Sequence, residues 1–193
     1  MKNIKTKEIL DLAPSLERDN DEDSYNKSYY HFVKYFEGKD EITEHKLVVG
    51  ANFTYGWMPT IMNFKSDDFQ LAVTILNKAK GIERISNEDI LLLKGLINNS
   101  LVGVSKLLHF INPDVYAIWD SRVCNFLTGK THKYKVETPN LFWSYLDLCK
   151  RVSLDPAFEP IHERYKEKVG FEITPMRTIE QIMFINSNEP IRQ

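Results

Sequence analysis

The chain has 193 residues, 42% of them hydrophobic and 27% charged, with a formal net charge of −2. That is enough apolar side chain for a real core, and the balance is not that of a protein held to nucleic acid or membrane by bulk charge, though it leaves room for a local basic face. Two cysteines, Cys124 and Cys149, are too few for a disulfide framework or a four-cysteine cluster, and MKNIKTKEIL has no apolar signal core, so a soluble cytoplasmic protein with no metal and no cofactor is expected.

Residues 4–18 suit a short amphipathic helix interrupted at Pro14. The acidic stretch 19–23 then precedes a helix with Tyr25, Tyr29, Phe32, Val33 and Phe36 at helical spacing, stopped by Gly38. A second long helix is expected within 41–63, broken near Gly56 or Pro59. Tyr55, Trp57 and Met58 gather at that break, either as packing of a kinked pair or as the aromatic wall of a pocket. Ser66 reads as the cap of a helix carrying Phe69, Ala72, Val73 and Leu76, which ends near Gly81. Ser86-Asn87-Glu88-Asp89 resembles a capping box, with Ile85 and Ile90 placed for a hydrophobic staple.

Residues 100–127, SLVGVSKLLHFINPDVYAIWDSRVCNFL, are the most informative stretch. A tight turn is expected at Val102-Gly103-Val104-Ser105, followed by a helix up to Pro113 and a loop from Asn112 to Trp119. Asp120 then opens a helix that stops at Gly129. Asp120 is either a plain helix cap or a reactive carboxylate. His109 in LLHF suits a hydrogen-bonded core histidine or the lining of a pocket, and it has no partners at metal-ligand spacing. Thr138-Pro139 and Thr174-Pro175 each start a further helix, and residues 161–168 suit a charged, solvent-facing one.

Charge is unevenly spread. Residues 1–50 hold eight Lys/Arg and eleven Asp/Glu, whereas residues 121–168 hold nine and six. Lys130, Lys133 and Lys135 form the densest basic loop, either simply solvated or in contact with phosphates. No strand alternation or internal repeat appears. The expected fold class is all-α: a compact bundle of about nine or ten short helices forming one domain over 1–193, or two lobes (about 1–65 plus the C-terminal helices, and 66–129).

The order helix, Gly-containing hairpin, helix, Pro-containing loop, Asp, helix resembles the helix-hairpin-helix/Gly-Pro-Asp superfamily of DNA glycosylases, the endonuclease III-like group. VGVSK is similar to that family's hairpin, and IWDSRVCNFL to the segment around its catalytic aspartate. The resemblance covers about thirty residues. It implies a helix-hairpin-helix core and a base-excision reaction on double-stranded DNA. In it Asp120 stabilises developing positive charge on the sugar or activates water. It also implies phosphate contacts at Gly103 and Ser105, a phosphate or carboxylate partner for Arg122, and a pocket flanked by Trp119, His109, Tyr55 and Trp57. Lys106 is the nearby candidate for the amine nucleophile that some members use. Ser105 replaces the second hairpin glycine, and an ungapped match puts Leu107, not Lys106, at the nucleophile's position, so a lyase step is not expected. The other reading is a non-catalytic helical module for nucleic-acid or protein binding.

Overall fold

The computed structural model describes residues 4–18, 24–58, 60–129 and 136–187. Among them the chain forms ten α-helices and one 3-10 helix. These are α1 (Thr6–Leu10), the 3-10 helix (Ala13–Arg18), α2 (Ser24–Phe36), α3 (Glu44–Gly56), α4 (Phe69–Ala79) and α5 (Asn87–Leu96). They continue as α6 (Leu101–Ile111), α7 (Ser121–Thr128), α8 (Pro139–Ser153), α9 (Glu159–Val169) and α10 (Pro175–Ile185). The only strand-like pairing among these residues is one isolated antiparallel bridge between Phe64 and Ile97.

Many boundaries follow the local chemistry. The Ser86 hydroxyl accepts from Asp89 N–H at 3.1 Å while the Asp89 carboxylate accepts from Ser86 N–H at 2.9 Å, closing the capping box of α5. Ile85 and Ile90 beside it are both buried. Gly129 and Gly170 end α7 and α9 in the left-handed region, at φ 69° and 75°. Two expectations need correction. The residue at the N-cap position of α4 is Asp68, not Ser66, and its side chain makes no capping bond. The tight turn of the central stretch lies at Ile97–Ser100, not at Gly103. Asn98 and Asn99 both adopt φ 52°, a region Asn tolerates better than most residues, and the Ser100 hydroxyl caps α6 by accepting from Gly103 N–H.

α6 is the axis of the larger half. It packs against α2, α3, α4 and α5, and only Val102 and Lys106 along it escape full burial. A helix that is apolar all round belongs inside. α10 plays the same part in the other half, touching α1, the 3-10 helix, α7, α8 and α9. The described N-terminal residues that join the C-terminal helices are thus 4–18, whereas α2 and α3 join α6. One continuous cluster of buried apolar side chains runs through both halves.

Candidate functional site around Asp120

The segment 112–120 carries no regular structure, so its backbone groups need other partners. The loop's backbone and side chains are tied to the elements around it. Asn112 donates to the carbonyls of Ala79 and Gly81 at 2.9 and 2.8 Å, and the Thr174 hydroxyl donates to Pro113 O at 2.7 Å. The Tyr116 hydroxyl accepts from Ile85 N–H at 3.0 Å, and the Tyr145 hydroxyl donates to Ile118 O at 2.9 Å. Ser105 is fully buried. Its hydroxyl accepts from Trp119 N–H at 3.1 Å and lies 2.9 Å from Trp119 O. The loop therefore delivers Asp120 in a fixed place at the start of α7. There one carboxylate oxygen accepts from Val123 N–H at 2.9 Å. Asp120 is half-buried, and among the described residues no cation lies within 4.0 Å of it.

Lys106 lies close enough for Asp120 to favour its charged form. Burial nevertheless draws the amine below the usual lysine value, against the opposing pull of Asp120 and Glu180. Its Nζ sits 4.9 Å from the Trp57 ring centroid, a cation–π contact, and makes no ion pair or hydrogen bond among the described residues. Beneath it α10 contributes an ion pair between Arg177 and Glu180, which are 7% and 1% exposed. The Arg177 guanidinium also stacks 5.0 Å from the Tyr29 ring and 5.9 Å from Trp57. Burial pushes the Glu180 carboxyl up to about 7, with Arg177 opposing the shift and Asp120 adding to it. Two cations, the half-buried Lys106 amine and the buried Arg177 guanidinium, thus flank the Trp57 indole, and Arg177 carries the Glu180 carboxylate with it.

His109 adjoins this face from inside. Its Nδ1 lies 2.6 Å from Tyr116 O, a carbonyl that can only accept, so Nδ1 carries the proton. Nε2 then accepts from the Tyr29 hydroxyl at 2.9 Å. Burial holds the imidazole down at about 3 and keeps it neutral. The ring is a strut between α2 and the 112–120 loop.

The structure thus sets Lys106 over Trp57 within the field of Asp120, holds His109 inside between Tyr29 and Tyr116, and separates the rest. Gly103 is buried in the first turn of α6, where a Cβ would meet the Tyr55 ring at 2.7 Å. Its lack of a side chain makes room for Tyr55, and it does not open a path for a phosphate. Ser105 is likewise committed to Trp119. Tyr55 and Trp119 are core residues, 2% and 0% exposed. The Trp119 indole donates to Val136 O at 2.7 Å. Arg122 stacks 4.1 Å over Phe184 and does not pair with Asp120, and its buried Nε has no hydrogen-bond partner among the described residues. Lys130, Lys133 and Lys135 lie outside the described residues.

Arg177 and Glu180 were missed in the sequence because Met176, Ile179, Ile182 and Met183 read as the whole inward face of α10. The usable signal was two opposite charges three residues apart within a stretch, 176–183, that proves buried on every side. Two surface cavities lie elsewhere, one of about 240 Å³ between the 3-10 helix and α9 and one of about 740 Å³ between α2 and the 169–172 turn. Among the described residues no helix is long and apolar enough to cross a membrane, and no group of three or more His, Cys, Asp or Glu is placed to hold a metal ion. Comparison with protein-family models, curated proteins and solved structures finds no match to this chain.

Proposed function

We propose that this chain binds double-stranded DNA and cleaves the bond between a base and its sugar, with Asp120 as the carboxylate that meets the developing sugar cation. The observation that carries the reading is the meeting of Asp120 and Lys106. They are fourteen residues apart in the chain, both half-buried, and Asp120 acts on the amine that lies over the Trp57 indole. A carboxylate fixed by a rigid loop opposes positive charge without reorganising as the bond breaks. The indole supplies a flat surface on which a displaced base can stack. The succession of α5, a turn at Asn98-Asn99, α6, a loop and Asp120 supports the reading, whereas VGVSK, the segment that carries the resemblance, lies within α6.

One observation favours the second reading, a helical binding module without catalysis: Asp120 already has a structural task as the cap of α7. Asp120→Asn separates the two, because Asn caps a helix about as well as Asp. Under the catalytic reading Asp120→Asn keeps its melting temperature and DNA affinity but loses base release by about 100-fold or more. The assay is base excision from a panel of duplexes carrying damaged or modified bases, at matched folding. Equal rates in the two proteins, or no release by wild type from any duplex, leave the binding-module reading standing.

A further inference from the structure

We infer that the groove between α2 and the 169–172 turn binds a nucleotide, its phosphate on the α2 lysines and its base against Tyr30 and Phe171. The groove shares no residue with the site around Asp120, and the inference does not rest on the function proposed above. Lys27, Tyr30, His31 and Lys34 stand at i, i+3, i+4 and i+7 on α2, which puts them on one helix face, and all four are exposed. The opposite wall is set by Gly170. Its left-handed φ of 75° ends α9 and turns the chain so that Phe171 meets α2. The Phe171 ring centroid lies 5.7 Å from that of Tyr30 and 6.1 Å from that of Tyr29. Tyr29 is itself buried and bonded to His109, so Phe171 is backed by a fixed ring. The groove holds about 740 Å³, within the range of small-molecule sites, about 300–1,000 Å³.

Charge and ring surface together select the ligand. Lys27 has no ion pair or hydrogen bond among the described residues, and neither ring nitrogen of His31 has one. Lys34 lies 5.6 Å over the Tyr30 ring and pairs with Glu37 at 2.7 Å, but both partners are exposed, and such pairs hold weakly. The one carboxylate on the wall, Glu172, is turned to Lys166 at 3.3 Å. Lys27 and Lys34 are separated by about 10 Å of helix, a gap that two lysine side chains close around one anion. Ammonium groups only donate, so an anion rich in acceptors satisfies them, and a cation is repelled. Beside them Tyr30 is 36% exposed and Phe171 partly so, leaving ring surface on which a base stacks. A phosphate alone leaves the rings uncovered, and a nucleoside alone leaves the lysines without an anion. A nucleotide engages both.

The test is calorimetric titration of the full chain with adenosine 5′-monophosphate, then with adenosine and with inorganic phosphate. The nucleotide binds at least about tenfold more tightly than either of its parts. Lys27→Gln and Lys34→Gln each weaken it by about tenfold, and Tyr30→Ala does the same, with melting temperatures unchanged. In the NMR spectrum of wild type, the Tyr30 and Phe171 ring protons shift as nucleotide is added. No binding at about 10 mM nucleotide overturns the inference. So does phosphate that binds as tightly as the nucleotide, or an affinity indifferent to both lysine substitutions. Ring signals of Tyr30 and Phe171 that stay in place overturn it as well, and that result comes from wild type, whatever the variants do. A single-stranded oligoadenylate separates the two sources of the ligand. Tighter binding than the monomer, lost in the same variants, assigns the groove to a strand, and equal binding assigns it to a free nucleotide; both support the inference. None of these measurements reads base release, so failure of this inference and failure of the glycosylase reading are seen separately.

Discussion

Replacing His109 with Gln exposes how the buried strut makes stability depend on pH. The imidazole is fully buried and stays neutral in the folded protein down to about 3, whereas in the unfolded chain it takes a proton near its ordinary value of 6.5. Below 6.5 the unfolded state thus binds a proton that the folded state refuses, and stability falls as pH falls. Each pH unit costs about 1.4 kcal/mol, so between pH 6.5 and 4.5 the loss is about 2.7 kcal/mol, continuing until the folded group itself titrates. Glu180 works in the opposite sense. Its folded value of about 7 lies above its ordinary 4.5, so its contribution is fully present below 4.5 and is lost as pH rises through 7. Over 4.5–6.5 the two slopes offset each other, and wild type alone hides both. The difference between wild type and His109→Gln isolates the histidine. At pH 7.5 the variant is less stable by about 1–3 kcal/mol, because the Tyr29 hydroxyl and the Tyr116 carbonyl lose their partner or meet a poorer one. By pH 4.5 that gap closes or reverses by about 2.7 kcal/mol. Urea unfolding at a series of pH values measures it. A gap that stays constant from 7.5 to 4.5, or a His109 ring proton titrating near 6.5 in the folded protein, refutes the argument.

Gly103→Ala tests whether that glycine serves packing. Helix propensity alone predicts a gain of about 1 kcal/mol, but a Cβ driven into the buried Tyr55 ring costs about 1–3. We expect a net loss in thermal denaturation, converted to a gain when Tyr55→Leu is added; stabilisation by Gly103→Ala alone contradicts the packing account. Ser105→Ala leaves the Trp119 N–H without its buried partner and should cost about 1–3 kcal/mol. It should also speed amide exchange at Trp119, and an unchanged exchange rate there means the hydroxyl does not hold the loop.

What the sequence made legible was local and periodic. The capping box at Ser86, the glycine stops at 38 and 129 and the Thr-Pro helix starts are each chemistry within four or five residues, and they placed most of the helices. The turn at Asn98-Asn99 was misplaced because glycine is the stronger turn signal on paper. Gly103 answers instead to a tyrosine nearly fifty residues earlier. The site divided the same way. Asp120 and Lys106 were visible because they sit in one recognisable stretch, whereas Arg177 and Glu180 arrive from a helix whose apolar residues disguised its buried charges. Pairwise meetings such as Lys106 with Trp57, or His109 with Tyr29 eighty residues away, have no local signature.

The return of residues 4–18 to the C-terminal helices has a consequence for how the molecule forms. Asn186 donates to the Ser15 hydroxyl across 171 positions of chain, and Lys168 to the carbonyls of Leu16 and Glu17 across 152 and 151. During synthesis α6 has the helices α2 to α5 against which it packs once residue 111 has emerged. Residues 4–18, in contrast, must wait for α10, the last of the helices among the described residues. Loop closure over such a span makes these contacts late ones. Arg177 and Glu180 come with α10, so the nascent chain holds Lys106 and Asp120 before it holds that buried ion pair. The four charges stand in one fold only once the chain has been made as far as α10.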